Sequence, residues 1–134
     1  MKKELPKIKE LKQALVPQSE FSLQCECIKW FRYQYPLYKN LLFHIPNGGS
    51  RHKLEAINLK RGGVIPGIPD LMLAVPRISG WDFYHGLFIE MKSAKGKLTS
   101  LQQERVKELK EEGYMVEIIN NFNSFKLVID NYLK

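Results

Sequence analysis

The 134-residue sequence predicts an α/β protein, with helices forming outer layers on a mixed β-sheet. Segments whose apolar residues recur at helical spacing alternate with short apolar runs of strand length, in the order α-β-α-β-β-α-β-α. Glycine or proline stands at most of the junctions between them. The composition, 44% hydrophobic and 26% charged, is that of a globular domain, and the length suits one core rather than two.

Taken in order, residues 1–17 are charged and broken by Pro6 and Pro17. They read as a basic N-terminal arm ahead of a domain of residues 18–134. Ser19 can cap a helix through "SEFSLQCECIKWFRYQY", stopped by Pro36. This helix is apolar on more than one side, so it is expected to be well buried, Trp30 included. "LLFHI" at 41–45 is a strand ended by Pro46 and the turn "NGG". Ser50 can cap a second helix, "RHKLEAINLKR", with Gly62 and Gly63 as its stop. "PDLMLAV" and "GLFIEMK" are strands, expected to pair antiparallel, and "RISGWDFYH" is the connection between them. Thr99 caps "SLQQERVKELKEEG", which places Leu101, Val106 and Leu109 on one stripe and ends at Gly113. "YMVEII" is a strand and "SFKLVIDNYLK" a closing helix.

The net charge is +7 and the isoelectric point about 9.4. Such a balance suits a polyanionic partner such as nucleic acid, although excess lysine can serve solubility alone. Cys25 and Cys27 lie about 200° apart around a helix, so they neither pair nor share a metal. They read as apolar fillers in a reducing compartment. No apolar run approaches the length of a membrane span, and the first residues lack the apolar core of a secretory signal. A cytosolic protein with no membrane partner is the expectation.

Three charges sit on the strands. Glu90 and Lys92, two apart, point to one face, while Ile89 and Met91 point to the other. If the strands pair antiparallel, Asp70 comes opposite the end that carries Glu90. Two carboxylates so close repel each other unless a cation lies between them. A hard divalent ion such as Mg²⁺ takes oxygen ligands and keeps several waters, so one or two carboxylates suffice. A lysine alongside can help a water attack or balance charge on a phosphate. The plainer reading of Glu-x-Lys at a strand end is a solvated ion pair. "RGGVIPGIPD" before Asp70 has the glycines and prolines for a narrow backbone that a large anion can approach, and "KSAKGK" after it offers Lys95 and Lys97 for phosphate contacts. "NGGSRHK", which opens at Asn47, can bind phosphate through backbone N–H groups and Arg51 or Lys53, or be a simple turn and helix cap. It lacks the spacing of a phosphate-binding Walker loop. Lys60 and Arg61 precede the glycines and can flank a substrate groove. His44, alone before a proline turn, reads as structural rather than as a ligand. Trp81 is expected in an exposed connection, anchoring the loop or stacking on an unpaired base.

Pro69-Asp70 followed by Glu90-Met91-Lys92 resembles the signature of the PD-(D/E)XK nuclease superfamily. The succession "SEFSLQ" with Trp30, "HIPNGGSR", "GVIPGIPDLML", "GLFIEMK", "GKLTSLQ" and "GYMVEII" resembles its VRR-NUC branch, the virus-type replication-repair nucleases, in their small stand-alone form. The resemblance implies a restriction-endonuclease-like α/β/α sandwich and Mg²⁺- or Mn²⁺-dependent cleavage of DNA. It further implies likeness to Holliday junction resolvases and a homodimer acting on branched DNA. Carried over by position, Asp70 and Glu90 are metal ligands with the Met91 carbonyl as a third, and Lys92 is the catalytic lysine. Glu20 matches the acid on the first helix, though it can also be a simple helix-terminal acid. Gln102 matches the glutamine on the helix after the lysine strand; its neighbour Gln103 competes for that role, but Thr99-x-x-Gln102 fits the family's Ser-x-x-Gln spacing better. The long aromatic connection "RISGWDFYH" departs from the family pattern. A non-catalytic DNA-binding module, or a structural subunit of a repair complex, is the contrasting expectation.

Overall fold

The structure, a computed structural model, describes residues 18–46 and 53–134. Helix α1 spans Glu20–Gln34 and begins at Ser19, whose hydroxyl accepts from the Ser22 N–H. A short 3-10 turn at Pro36–Tyr38 leads into strand β1, Leu42–His44. Helix α2, Lys53–Arg61, ends where Gly63 takes a φ of 107°, a conformation that suits glycine. Strand β2 is Leu71–Leu73 and strand β5 is Leu87–Met91, with β3 at Arg77–Ser79 and β4 at Asp82–Tyr84 between them. Helix α3, Ser100–Glu111, strand β6, Met115–Ile119, and helix α4, Phe122–Leu133, complete the order.

The sheet runs β1-β2-β5-β6. β1 and β5 each pair antiparallel with β2, and β6 runs parallel to β5, so the sheet is mixed as expected. Every residue of β5 is buried, because the strand is central and covered on both faces. Leu87, Ile89 and Met91 project into the larger core with Leu71 and Leu73 of β2, Phe31 of α1, and Phe125 and Ile129 of α4. Phe88 projects the other way, against Val106 of α3 and Val116 of β6. Complete burial of such a side chain is worth about 1.5–3 kcal/mol, which makes β5 the element least able to shift. Thr99 opens α3 with a reciprocal capping box to Gln102.

Four expectations need correction. The 77–85 connection is not a plain loop: β3 and β4 form a hairpin, Arg77 opposite Tyr84 and Ser79 opposite Asp82. Its two-residue tip is Gly80-Trp81, and only Gly80 has positive φ, at 59°, as a II′ turn requires. Trp81 is fully exposed, so it anchors nothing. Helix α1 is buried along one stripe only, Leu23, Gln24, Cys27 and Phe31, while Phe21 and Tyr33 face solvent. Trp30 is half-buried, edge-on to Tyr35, Phe122 and Phe125. The closing helix starts two residues earlier than its apolar pattern suggests, because Asn121 caps it through the Ser124 N–H. Ser50 lies outside the described residues.

Candidate active site

The β2–β5 register sets Leu71 opposite Ile89 and Met72 opposite Phe88. One step further, Asp70 lies across from Glu90. Met72 and Phe88 belong to the α3 side of the sheet, and by strand alternation Asp70, Glu90 and Lys92 project to that side too. The Asp70 carboxylate is held there by the Met91 N–H, which donates to Oδ2 at 2.7 Å. In a strand, the N–H and C=O of one residue face the same neighbour. The Met91 carbonyl therefore also faces the strand of Asp70, while the next amide, Lys92, turns to β6 and donates to the Ile119 carbonyl at 2.8 Å.

Glu90 and Lys92 are 3% and 8% exposed, unusual for charged residues. Gln102, on the first turn of α3, joins them. Its Nε2 donates to Glu90 Oε1 at 3.1 Å, and its Oε1 accepts from Lys92 Nζ at 2.8 Å and from the Thr99 N–H at 3.0 Å. Lys92 Nζ is 3.8 Å from Glu90 Oε1, an ion pair beyond hydrogen-bond range. Gln103 instead reaches only the Leu98 carbonyl, at 3.5 Å, on the exposed side. Of the two glutamines, Gln102 is therefore the one at the site.

Burial, first, and the Asp70 carboxylate beside it, second, push the Glu90 carboxyl up to about 8 against the downward pull of Lys92. An acidic pair held this close in a nearly dry place is relieved by a proton or by a cation. The oxygens on offer are the two carboxylates and the Met91 carbonyl, a hard donor set that suits Mg²⁺ or Mn²⁺. Among the described residues no three Asp, Glu, His or Cys side chains enclose a metal by themselves. An ion held here would complete its shell with water, which is the usual habit of Mg²⁺.

The remaining candidates divide. Glu20 reaches the rim from α1: its Oε1 accepts from the Ser93 N–H at 3.3 Å. Lys95 and Lys97 stand exposed on the turn after Lys92, where the Gly96 N–H donates to the Ser93 carbonyl at 2.9 Å. Lys53, Lys60 and Arg61 are exposed on α2. Asn47 and Arg51 lie outside the described residues. The tight approach in "PGIPD" is not to an open anion site. Gly67, at a φ of 85°, leaves a Cβ position only 3.0 Å from the Leu101 side chain, and the Arg105 Nε–H donates to the Pro66 carbonyl at 3.2 Å. The glycine lets the segment before Asp70 pack against α3. Trp81 sits on the hairpin joining the ends of β2 and β5 opposite to those that carry Asp70 and Glu90.

Two residues with no catalytic part expected from the sequence reach the backbone of Asp70 from the α1 side of the sheet. His44 Nδ1 is 2.8 Å from the Asp70 carbonyl and 3.2 Å from the Gln24 amide nitrogen. Gln24 follows Glu20 by four residues, which puts both on one face of α1. That spacing is the signal that could have found it.

Among curated proteins none matches the chain. A solved structure described as a VRR_NUC domain protein is 29% identical to it, covers 89% of this chain and 91% of its own, and superposes with a TM-score of 0.74. The VRR-NUC domain family matches residues 7–122, which include Glu20, Asp70, Glu90, Lys92 and Gln102. That family implies nuclease-type processing of DNA and is generally dependent on divalent metal. From its fold and from this match over most of its length, the chain belongs to the VRR-NUC family.

Proposed function

We infer that the protein is a metal-dependent, structure-selective DNA endonuclease, resembling Holliday junction resolvases and acting on branched DNA in replication, repair or recombination. The observation that carries this reading is the convergence of Asp70, Glu90 and Lys92 at one end of the β2–β5 pair, tied by Gln102. Asp70, Glu90 and the Met91 carbonyl would hold Mg²⁺ or Mn²⁺. When bound, the ion supplies Lewis-acid polarisation of the scissile phosphate and a more acidic water. Lys92 has three donors, and one goes to Gln102. The other two remain for the attacking water and a phosphate oxygen, so the lysine orients the water and offsets charge developing on the phosphate. Gln102 restrains Lys92 and Glu90 together, and Glu20 holds the backbone where the lysine strand leaves the sheet.

Lys95, Lys97, Lys53, Lys60 and Arg61 grip the DNA backbone. Such contacts carry no base code, so recognition rests on shape. A two-fold homodimer would present two sites to the symmetric strands of a junction. Support for it comes from α2, which buries none of its nine residues and exposes Leu54 and Ile57.

The test is cleavage of branched and linear DNA in Mg²⁺, Mn²⁺ or EDTA, with the mass measured in solution. Metal-dependent cutting of branched DNA is expected, with Asp70→Ala and Lys92→Ala abolishing cutting while DNA binding persists. Equal cutting by those variants would remove the site assignment. Binding without cutting in either metal would favour a DNA-binding module that has lost catalysis.

A further inference from the structure

His44 and Gln24 meet the backbone of Asp70 from the α1 side of the sheet, opposite the face that carries the carboxylates. The Asp70 carbonyl faces two nitrogens: the Ile45 N–H at 2.8 Å and His44 Nδ1 at 2.8 Å. A carbonyl oxygen only accepts. At 2.8 Å an unprotonated Nδ1 would set one lone pair against another. The proton therefore sits on Nδ1, and the imidazole donates. A protonated Nδ1 offers the Gln24 amide no lone pair, so the end of that amide 3.2 Å from Nδ1, placed as nitrogen, is assigned as its oxygen, which accepts from the same N–H. Gln24 is itself buried, and its amide has this bond in place of water.

The consequence falls on Asp70. β1 ends at His44, where the register sets it opposite Leu71, so Asp70 lies just past the last rung of the β1–β2 ladder. The preceding residues, Pro66 to Pro69, belong to no strand. The Asp70 side chain is fixed by the Met91 N–H, while its backbone is fixed by Ile45 and His44. We propose that His44, oriented by Gln24, is a positioning residue: its Nδ1–H clamps the Asp70 carbonyl and so fixes the direction in which the Asp70 carboxylate is offered to a divalent cation. The proposal rests on the cation-site reading above and adds to it a residue that touches neither the ion nor the DNA.

Two measurements on the full chain test it. Long-range ¹H–¹⁵N correlation of metal-free, histidine-labelled protein reads the tautomer directly, with the His44 ring assigned by its loss in His44→Asn. A proton on Nδ1 is expected; a neutral ring protonated only on Nε2 overturns the proposal. The second measurement titrates Mn²⁺ by electron paramagnetic resonance. His44→Ala is expected to weaken Mn²⁺ binding about 10-fold, the usual scale for residues that orient a metal ligand. His44→Asn carries an amide N–H at the same distance from Cβ as Nδ1 and is expected to recover most of that loss. Equal binding by wild type and His44→Ala overturns the role, as does an Asn variant as weak as the Ala variant. Asp70→Asn is the control. If wild type binds Mn²⁺ no better than that control, the cation site itself is wrong and the clamp falls with it. If wild type exceeds the control and His44→Ala matches wild type, the clamp alone is wrong.

Discussion

At one end of the β2–β5 pair stand Asp70, Glu90 and Lys92; at the other, the β3–β4 hairpin carries Ile78, Trp81 and Phe83. Charge is buried at the first end and apolar surface is exposed at the second. The two departures are built differently. At the charged end the polar groups are linked: Met91 to Asp70, Gln102 to Glu90 and Lys92, Thr99 to Gln102. A buried charge without such bonds would cost several kcal/mol, about the whole margin of a small domain. At the hairpin end the exposed faces of Ile78 and Trp81 cost little, because scattered apolar groups on a surface are ordinary. The hairpin is tied to the body by Tyr84 against the larger core, by Arg77 over the Tyr132 ring, and by Phe83 edge-on to the His85 ring, which in turn leans on Tyr114. One end is thus fixed by linked polar groups and the other by ring contacts at its base with an exposed tip, and substitutions should separate them.

The largest effect is expected at Lys92 and Asp70. Lys92→Ala and Asp70→Ala should lower cleavage by about 10²- to 10⁴-fold, with circular dichroism showing a retained fold. A comparable loss from Trp81→Ser would erase the distinction between the ends. Next comes Gln102→Ala, which releases both Glu90 and Lys92 and removes half of the Thr99 capping box. Cleavage should fall about 10- to 100-fold, with a further loss of about 1 kcal/mol in stability from the cap. Gln103→Ala should do neither.

A third effect is in pH. The folded protein, without metal, holds a proton on Glu90 up to about 8, whereas the carboxyl's ordinary value is 4.5. Between those values the folded state binds more protons than the unfolded chain, so stability falls as pH rises through that window. The steepest slope from this one group is about 1.4 kcal/mol per pH unit. Glu90→Gln should flatten the denaturant midpoint between pH 5 and pH 8, and Mg²⁺ should stabilise the wild-type protein most at the alkaline end. A midpoint rising across that window in metal-free protein would contradict the buried acidic pair. The smallest effect is at the hairpin: Trp81→Ser should change stability by no more than about 0.5 kcal/mol and leave cleavage of linear DNA unchanged.

Much of this was legible in residues alone. Ser19 and Thr99 announced their helices because a side-chain oxygen followed by helix-forming residues is a local signal, and the caps formed as read. The antiparallel pairing followed from the connection between consecutive strands, and the common face of Glu90 and Lys92 from a two-residue period. The hairpin at 77–84 was missed because aromatic residues in a long connection hid its sign, a Gly-X tip between two three-residue runs. α1 was expected to be covered more fully because its apolar residues wrap around it; only packing against α4 and β5 selects the stripe at Leu23, Cys27 and Phe31.

By itself the sequence determined the order of the elements apart from the β3–β4 hairpin, the caps at Ser19 and Thr99, and which charges share a strand face, since these depend on neighbours a few residues away. The tertiary structure alone decided that the Gln102 amide bridges Glu90 and Lys92, that Gly67 meets Leu101, and that His44 and Gln24 meet at the Asp70 carbonyl. Those contacts join residues from ten to more than thirty positions apart on different elements. Side-chain reach and register settle them only once the sheet has brought the elements together.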